Sequence, residues 1–89
     1  MDSEAASTPY GAITSVEDLG NRIRLKRKQL GFTLERVSGL SGASIRFLSE
    51  LERGKQTIEI GKALSIVNCL GLELVVQPKG RFGDEGSNG

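Results

Sequence analysis

The apolar positions of this chain fall into four helical stripes followed by one alternating run. Val16, Leu19, Ile23 and Leu30 recur at helical spacing and predict a first helix. Thr14 or Ser15 starts it. Either hydroxyl can cap, and each has an acid three places on, Glu17 or Asp18, in capping-box register. Gly31 ends it as the residue just past the C-cap. Thr33 caps a second helix with Leu34, Val37 and Leu40 as its apolar positions and Ser38 as a small residue where another helix can come close. That helix is short, because Gly42 arrives nine residues after the cap. Ser44 opens a third helix that turns Leu48 and Leu51 inward, ends near Glu52 and is stopped by Gly54. A fourth is predicted from Thr57, with Ile60, Ala63, Leu64, Val67 and Leu70 on a wide stripe and Gly71 at its end.

The run Leu72-Glu73-Leu74-Val75-Val76-Gln77 alternates at first, is β-branched at its end and is closed by Pro78, so it predicts a strand. A lone strand leaves its backbone groups unsatisfied, and nothing else in the folded part reads as a strand. Its simplest partner is the same strand of a second copy, Leu72, Leu74, Val75 and Val76 carrying a two-stranded ribbon across a two-fold axis. Two alternatives stand beside it: an extended tail packed on the domain, or pairing with the segment around Tyr10 to Ile13. The fold class expected is all-α, with four to five helices over residues 14–71 and one dimerisation strand over 72–77. Residues 1–13 are small and polar without helical period and predict a flexible arm. Residues 78–89 hold four glycines and a proline and predict a disordered tail.

Composition narrows the function. Eighty-nine residues allow one small domain, for which association is a natural source of stability. There is no His and a single Cys, Cys69, so neither an internal disulfide nor zinc-ligand spacing exists. Cys69 reads as a small apolar residue near a helix end, and this usage suits a reducing cytoplasm. No apolar run approaches the roughly 20 residues of a membrane span, and no signal peptide is evident. Without His, and with no convergent nucleophile or metal cluster, no catalytic residue, metal or cofactor is expected, and an enzyme is not expected.

Charge adds a direction. Between Arg22 and Lys55 stand nine basic residues against three acids, whereas the two flanks carry three basic residues and eight acids. A basic middle between acidic ends is a footprint for a polyanion, although solvated helices carry charge runs too. One basic residue is out of place: Arg27 sits on the apolar stripe between Ile23 and Leu30, where an unpaired charge is costly, so it requires a partner.

The informative segment is Thr33 to Lys55, T-L-E-R-V-S-G-L-S-G-A-S-I-R-F-L-S-E-L-E-R-G-K. Two short helices meet at a tight turn containing Gly42. Leu34, Val37, Ala43, Leu48 and Leu51 are apolar where the pair must pack at a steep angle. That is helix-turn-helix patterning, with the second helix free to enter a major groove; the plain alternative is an αα-corner without nucleic acid. Leu19-Gly20, Ile23-Arg24, Arg27-Lys28, Gly31-Phe32-Thr33, Gly42, Ser44, Leu48-Ser49, Leu51-Glu52-Arg53-Gly54-Lys55 and Leu70-Gly71 together resemble the lambda-repressor and Cro type of helix-turn-helix, the XRE family. The resemblance implies a lambda-repressor-like fold and, for Arg27, a structural ion pair with Glu52.

Within that family, I-T-S-V-E-D-L-G, F-L-S-E-L-E-R-G-K-x-T-x-E-x-G-K-A-L and L-G-L-E-L most resemble HipB-like antitoxins. This implies a bacterial cytoplasmic, nucleoid-associated homodimeric repressor that controls its own operon and binds a HipA-like kinase toxin. A stand-alone repressor without a toxin, and a module for protein contact only, are the competing functions.

Roles follow from position. Ser44, Ile45, Arg46, Ser49 and Glu50 surround the Leu48 and Leu51 face and are expected to reach base edges. Arg46 suits guanine, Ile45 a thymine methyl, and Glu50 either accepts from cytosine or repels the wrong sequences. Thr33 with its helix N-terminus, Arg36, Arg53 and Lys55 are expected at phosphates. Leu34 departs from the family, where Gln is common, and puts contacts through that position in doubt. A dimer implies a pseudo-palindromic double-stranded operator with half-sites about one helical turn, or a multiple, apart.

Overall fold

The computed structural model describes residues 8–79. Among them four helices form: α1 (Val16–Gln29), α2 (Leu34–Ser41), α3 (Ile45–Glu52) and α4 (Ile60–Cys69). Hydroxyls set the first three starts. Ser15, rather than Thr14, caps α1: its Oγ accepts the Asp18 N–H at 3.0 Å. The Asp18 carboxylate in turn accepts from the Thr14 N–H at 3.0 Å and the Thr14 hydroxyl at 2.9 Å. These bonds, the backbone one first, hold the Asp18 pKa below the ordinary carboxylate value. Thr33 caps α2 by accepting the Arg36 N–H at 3.0 Å, and Ser44 caps α3 by accepting the Phe47 N–H at 3.0 Å.

The fourth helix begins later than its sequence suggests. Thr57 does not cap it; residues 56 and 57 belong to a turn in which Ile58 N–H reaches Lys55 O at 3.1 Å. Glu59 holds the cap position without a side-chain cap bond. The turn uses the residues that would have begun the helix.

One core joins the four elements: Leu19 and Ile23 of α1, Val37 of α2, Leu48 and Leu51 of α3, and Ala63, Ile66, Val67 and Leu70 around α4. Helix α3 packs on α1 and α2, and α2 also packs on α4. The buried stripe of α4 is 63-66-67-70, which differs from the expected one. Ile66 lies inside it, while Ile60 and Leu64 are exposed. Leu30 and Leu40, also expected inward, are exposed at the ends of their helices. Helices this short present only a few positions to any one neighbour, so residues at their ends and flanks stay outside.

Gly20 sets the distance between α1 and α3. A Cβ there would collide with the backbone carbonyl of Leu51 and approach that of Glu52 to 2.9 Å. The chain leaves α2 through Gly42 with φ 84°, a left-handed conformation that a side chain would strain. Two serine hydroxyls hold the short turn that follows. Ser38 Oγ donates to Ala43 O at 2.6 Å; Ser41 Oγ donates to Val37 O at 2.7 Å and accepts the Ala43 N–H at 3.1 Å.

The segment before α1, expected as part of a flexible arm, lies along that helix from Thr8 onward. Arg22 donates to Thr8 O at 2.6 Å, Pro9 is buried, and Lys26 donates to the Tyr10 hydroxyl at 2.7 Å. Residues 1–7 lie outside the described residues. At the other end, Leu72 N–H reaches Val67 O at 2.9 Å and the Leu72 side chain packs on the core. Beyond it Leu74, Val75 and Val76 are exposed. No strand forms among the described residues, because a single run has no ladder partner within one chain. Residues 11–14 and 73–79 line one groove, but no backbone hydrogen bond joins them there, so the arm does not serve as that partner. The expected tail lies outside the described residues from position 80. No helix among the described residues is long and apolar enough to cross a membrane.

Candidate nucleic-acid interface

Helix α3 has two faces with opposite fates. Inward, Leu48 and Leu51 are sealed. At the rim of that seal Glu52 takes Arg27 in a two-pronged ion pair, Nε to Oε2 at 2.6 Å and Nη2 to Oε1 at 3.0 Å. The third guanidinium nitrogen of Arg27 donates to Phe32 O at 2.9 Å. Both side chains are largely buried, and the bond to Glu52, ahead of the cost of desolvation, raises the Arg27 pKa further above its ordinary value. The pair ties α1, the end of α3 and the segment before α2 into one body.

Outward, the side chains assigned to base edges behave differently from one another. Arg46 is 87% exposed and Ile45 is exposed. Ser44 Oγ accepts from the Phe47 N–H in capping α3, which leaves its hydroxyl proton to donate, and Ser49 Oγ accepts from Arg53 Nη1 at 2.7 Å. Glu50 is only 20% exposed, because Lys55 Nζ contacts its Oε1 at 3.2 Å and Arg46 Nε its Oε2 at 3.3 Å. These cations, Lys55 first, hold the Glu50 pKa below the ordinary value, so the carboxylate is charged at neutral pH. The residues assigned to bases and those assigned to phosphates are therefore joined within one chain, through Glu50–Lys55 and Ser49–Arg53.

The remaining phosphate candidates lie at the start of α2. Thr33 is exposed at the cap, with its oxygen accepting from the helix and its hydroxyl proton still available. Arg36 lies 5.4 Å from the centre of the Phe32 ring, a cation–π contact that orients it. Leu34 is half-buried against the core rather than presented to a ligand. Of the dimer-strand residues, Leu72 is turned inward while Leu74, Val75 and Val76 are presented to solvent.

A helix-turn-helix family model matches residues 23–77, from the middle of α1 to the end of the exposed run. The chain belongs to the XRE-type helix-turn-helix family. It is also 32% identical over 68 residues to an uncharacterized HTH-type transcriptional regulator, y4mF, of Sinorhizobium fredii, spanning 76% of this chain and 90% of that relative. For an XRE-type chain, α2 and α3 are the two helices of the motif, and α3 is the recognition helix.

Sequence reasoning missed the serine latch of the motif. Ser38 was read only as a small residue, yet its hydroxyl satisfies a carbonyl of the α2–α3 turn. A serine five residues before the turn carbonyl was the available signal. The links from Glu50 to Lys55 and from Ser49 to Arg53 were also missed. Ser49 and Arg53 are a helical i,i+4 pair, whereas Lys55 lies past α3 and is folded back towards Glu50 by the left-handed turn at Gly54, its N–H reaching Glu50 O at 3.1 Å.

Proposed function

We propose that this protein is a sequence-specific DNA-binding transcriptional repressor that acts in the bacterial cytoplasm as a homodimer. The observation that carries the reading is Arg46. Its guanidinium stands exposed on a recognition helix whose other face is locked to the core by Leu48, Leu51 and the Arg27–Glu52 pair. A rigid helix with free donors can present them to guanine N7 and O6 in a major groove. Arg53, Lys55, Arg36 and Thr33 flank it as phosphate contacts that fix its register.

The dimer is supported by the run after α4. Three apolar side chains, Leu74, Val75 and Val76, leave the domain uncovered, with backbone groups unpaired by the rest of the described chain. A second copy of the run satisfies both demands. The finer reading is a HipB-like antitoxin that represses its own operon and holds a HipA-like kinase toxin. It rests on the resemblance of the Ile13–Gly20, Phe47–Leu64 and Leu70–Leu74 tracts. A stand-alone repressor is the second reading, favoured by the relative's naming simply as a transcriptional regulator.

Pull-down of the tagged protein from its native cells, with washes at rising salt, tests the proposal. The expected result is DNA enriched in one pseudo-palindrome, with half-sites about 10 base pairs or a multiple apart. That DNA is lost as salt rises through counterion release. A kinase-like protein that survives high salt supports the antitoxin; DNA without one supports the stand-alone repressor. Recovery of no enriched DNA contradicts both.

A further inference from the structure

The outer face of α3 carries an acid where a polyanion would have to approach. Two cations hold it: Lys55 on one carboxylate oxygen and Arg46 on the other. These are residues the proposed function assigns to a phosphate and to a base. A charge placed there opposes binding to every duplex, and it partly neutralises two of the groups that attract one. Such an arrangement weakens affinity for DNA in general, so its value must lie in discrimination.

We propose that Glu50 is the specificity gate of the recognition helix, a carboxylate that rejects duplex DNA unless the amino group of a cytosine or an adenine stands opposite it; the inference rests on the DNA-binding reading above. The donor and acceptor count supports it. An ionised carboxylate offers about four lone-pair sites, and Lys55 and Arg46 use one on each oxygen. Each oxygen keeps a free site, so Glu50 can accept from cytosine N4 or adenine N6 without releasing either cation. Guanine at the same place presents N7 and O6, and thymine presents O4. All are acceptors, and none can bond a carboxylate. The contact also shapes Arg46. With Nε bound to Glu50, its two terminal nitrogens remain to donate side by side to a guanine edge. Glu50 therefore both reads and positions, and where only base acceptors stand opposite it, its remaining lone pairs face them without a donor.

The test is Glu50→Gln in the full chain, compared with wild type for binding to duplexes selected by wild type from a random pool and to random-sequence duplex, over a range of salt. Gln removes the charge at nearly constant shape on a partly exposed position. Its melting midpoint is measured alongside, and Glu50→Ala serves as a second variant. The expected result is tighter binding of the variant to random duplex and a salt dependence steeper by about one unit per monomer. The preference for cytosine over guanine and thymine at one position of each half-site falls by about tenfold or more. A purely structural role for Glu50 would move the melt but not the salt slope or the base preference. Unchanged random-duplex affinity together with unchanged base preference overturns the inference while leaving the DNA-binding reading intact. If wild type selects no duplex at all, both fall.

Discussion

Glu50 and Glu52 lie on the same short helix, roughly 200° apart around its axis, and each holds an arginine. Glu52 and Arg27 meet in a two-pronged geometry with side-chain exposures of 7% and 12%. Glu50 meets Arg46 through one nitrogen, and Arg46 is exposed. The first pair spans two helices far apart in sequence; the second lies within one turn of α3. Burial and reach, not residue type, separate a pair that holds the fold from one that stays ready to exchange partners. An ion pair in water is easily replaced by another. One mostly removed from water cannot lose a member without stranding the other.

The largest effect should come from breaking the approach that makes the inner face possible. Gly20→Ala places a methyl against the Leu51 carbonyl, backbone that cannot swing aside. It should cost about 4 kcal/mol, a large share of the stability of so small a domain. Urea unfolding reads this directly, and a midpoint within error of wild type would show that α1 and α3 do not meet as closely as described.

Next comes the buried pair. Arg27→Ala should cost about 3 kcal/mol, because it leaves the Glu52 charge without its partner and Phe32 O without a donor. The same denaturation series with Glu50→Gln should lower the midpoint far less, because the cations that Glu50 holds are exposed to water. Equal losses for the two would erase the contrast between the faces.

The smallest effect concerns acid. The Asp18 and Glu50 carboxylates both have pKa values held below their ordinary ones. A lowered folded-state pKa contributes stability that is present above the unfolded value and is lost as pH falls through the folded one. The melting midpoint should therefore be flat from neutrality to about pH 5 and decline below about pH 4. Asp18→Asn, which keeps an acceptor oxygen for Thr14 but removes the titrating charge, should flatten part of that decline. A midpoint that rises on acidification would contradict the sign.

Much of this was legible in the chain because caps and glycines are local signals. Ser15, Thr33, Ser44, Gly31, Gly42 and Gly54 mark helix limits through bonds to neighbours a few residues away. The core was legible only in part, since periodicity finds an apolar stripe but not how much of it the neighbouring helices cover. Leu30, Leu40, Ile60 and Leu64 show that limit, and Ile66 shows its converse. The late start of α4 escaped because the turn at residues 56–57 competes with a helix that Thr57 was otherwise fit to cap. Candidate site residues were visible by position on α3. Their mutual engagement was not, because it depends on rotamers that pattern does not encode.

Under the proposed function, the outer face of α3 reads sequence while the inner face only holds it in place. The most direct measurement is the affinity of Arg46→Ala for wild-type-selected duplex and for random duplex, at one fixed salt concentration. The account predicts a loss of about 1–3 kcal/mol on the selected duplex, a clearly smaller loss on random DNA, and an unchanged melting midpoint. Equal losses on both would contradict it and reduce Arg46 to one more positive charge.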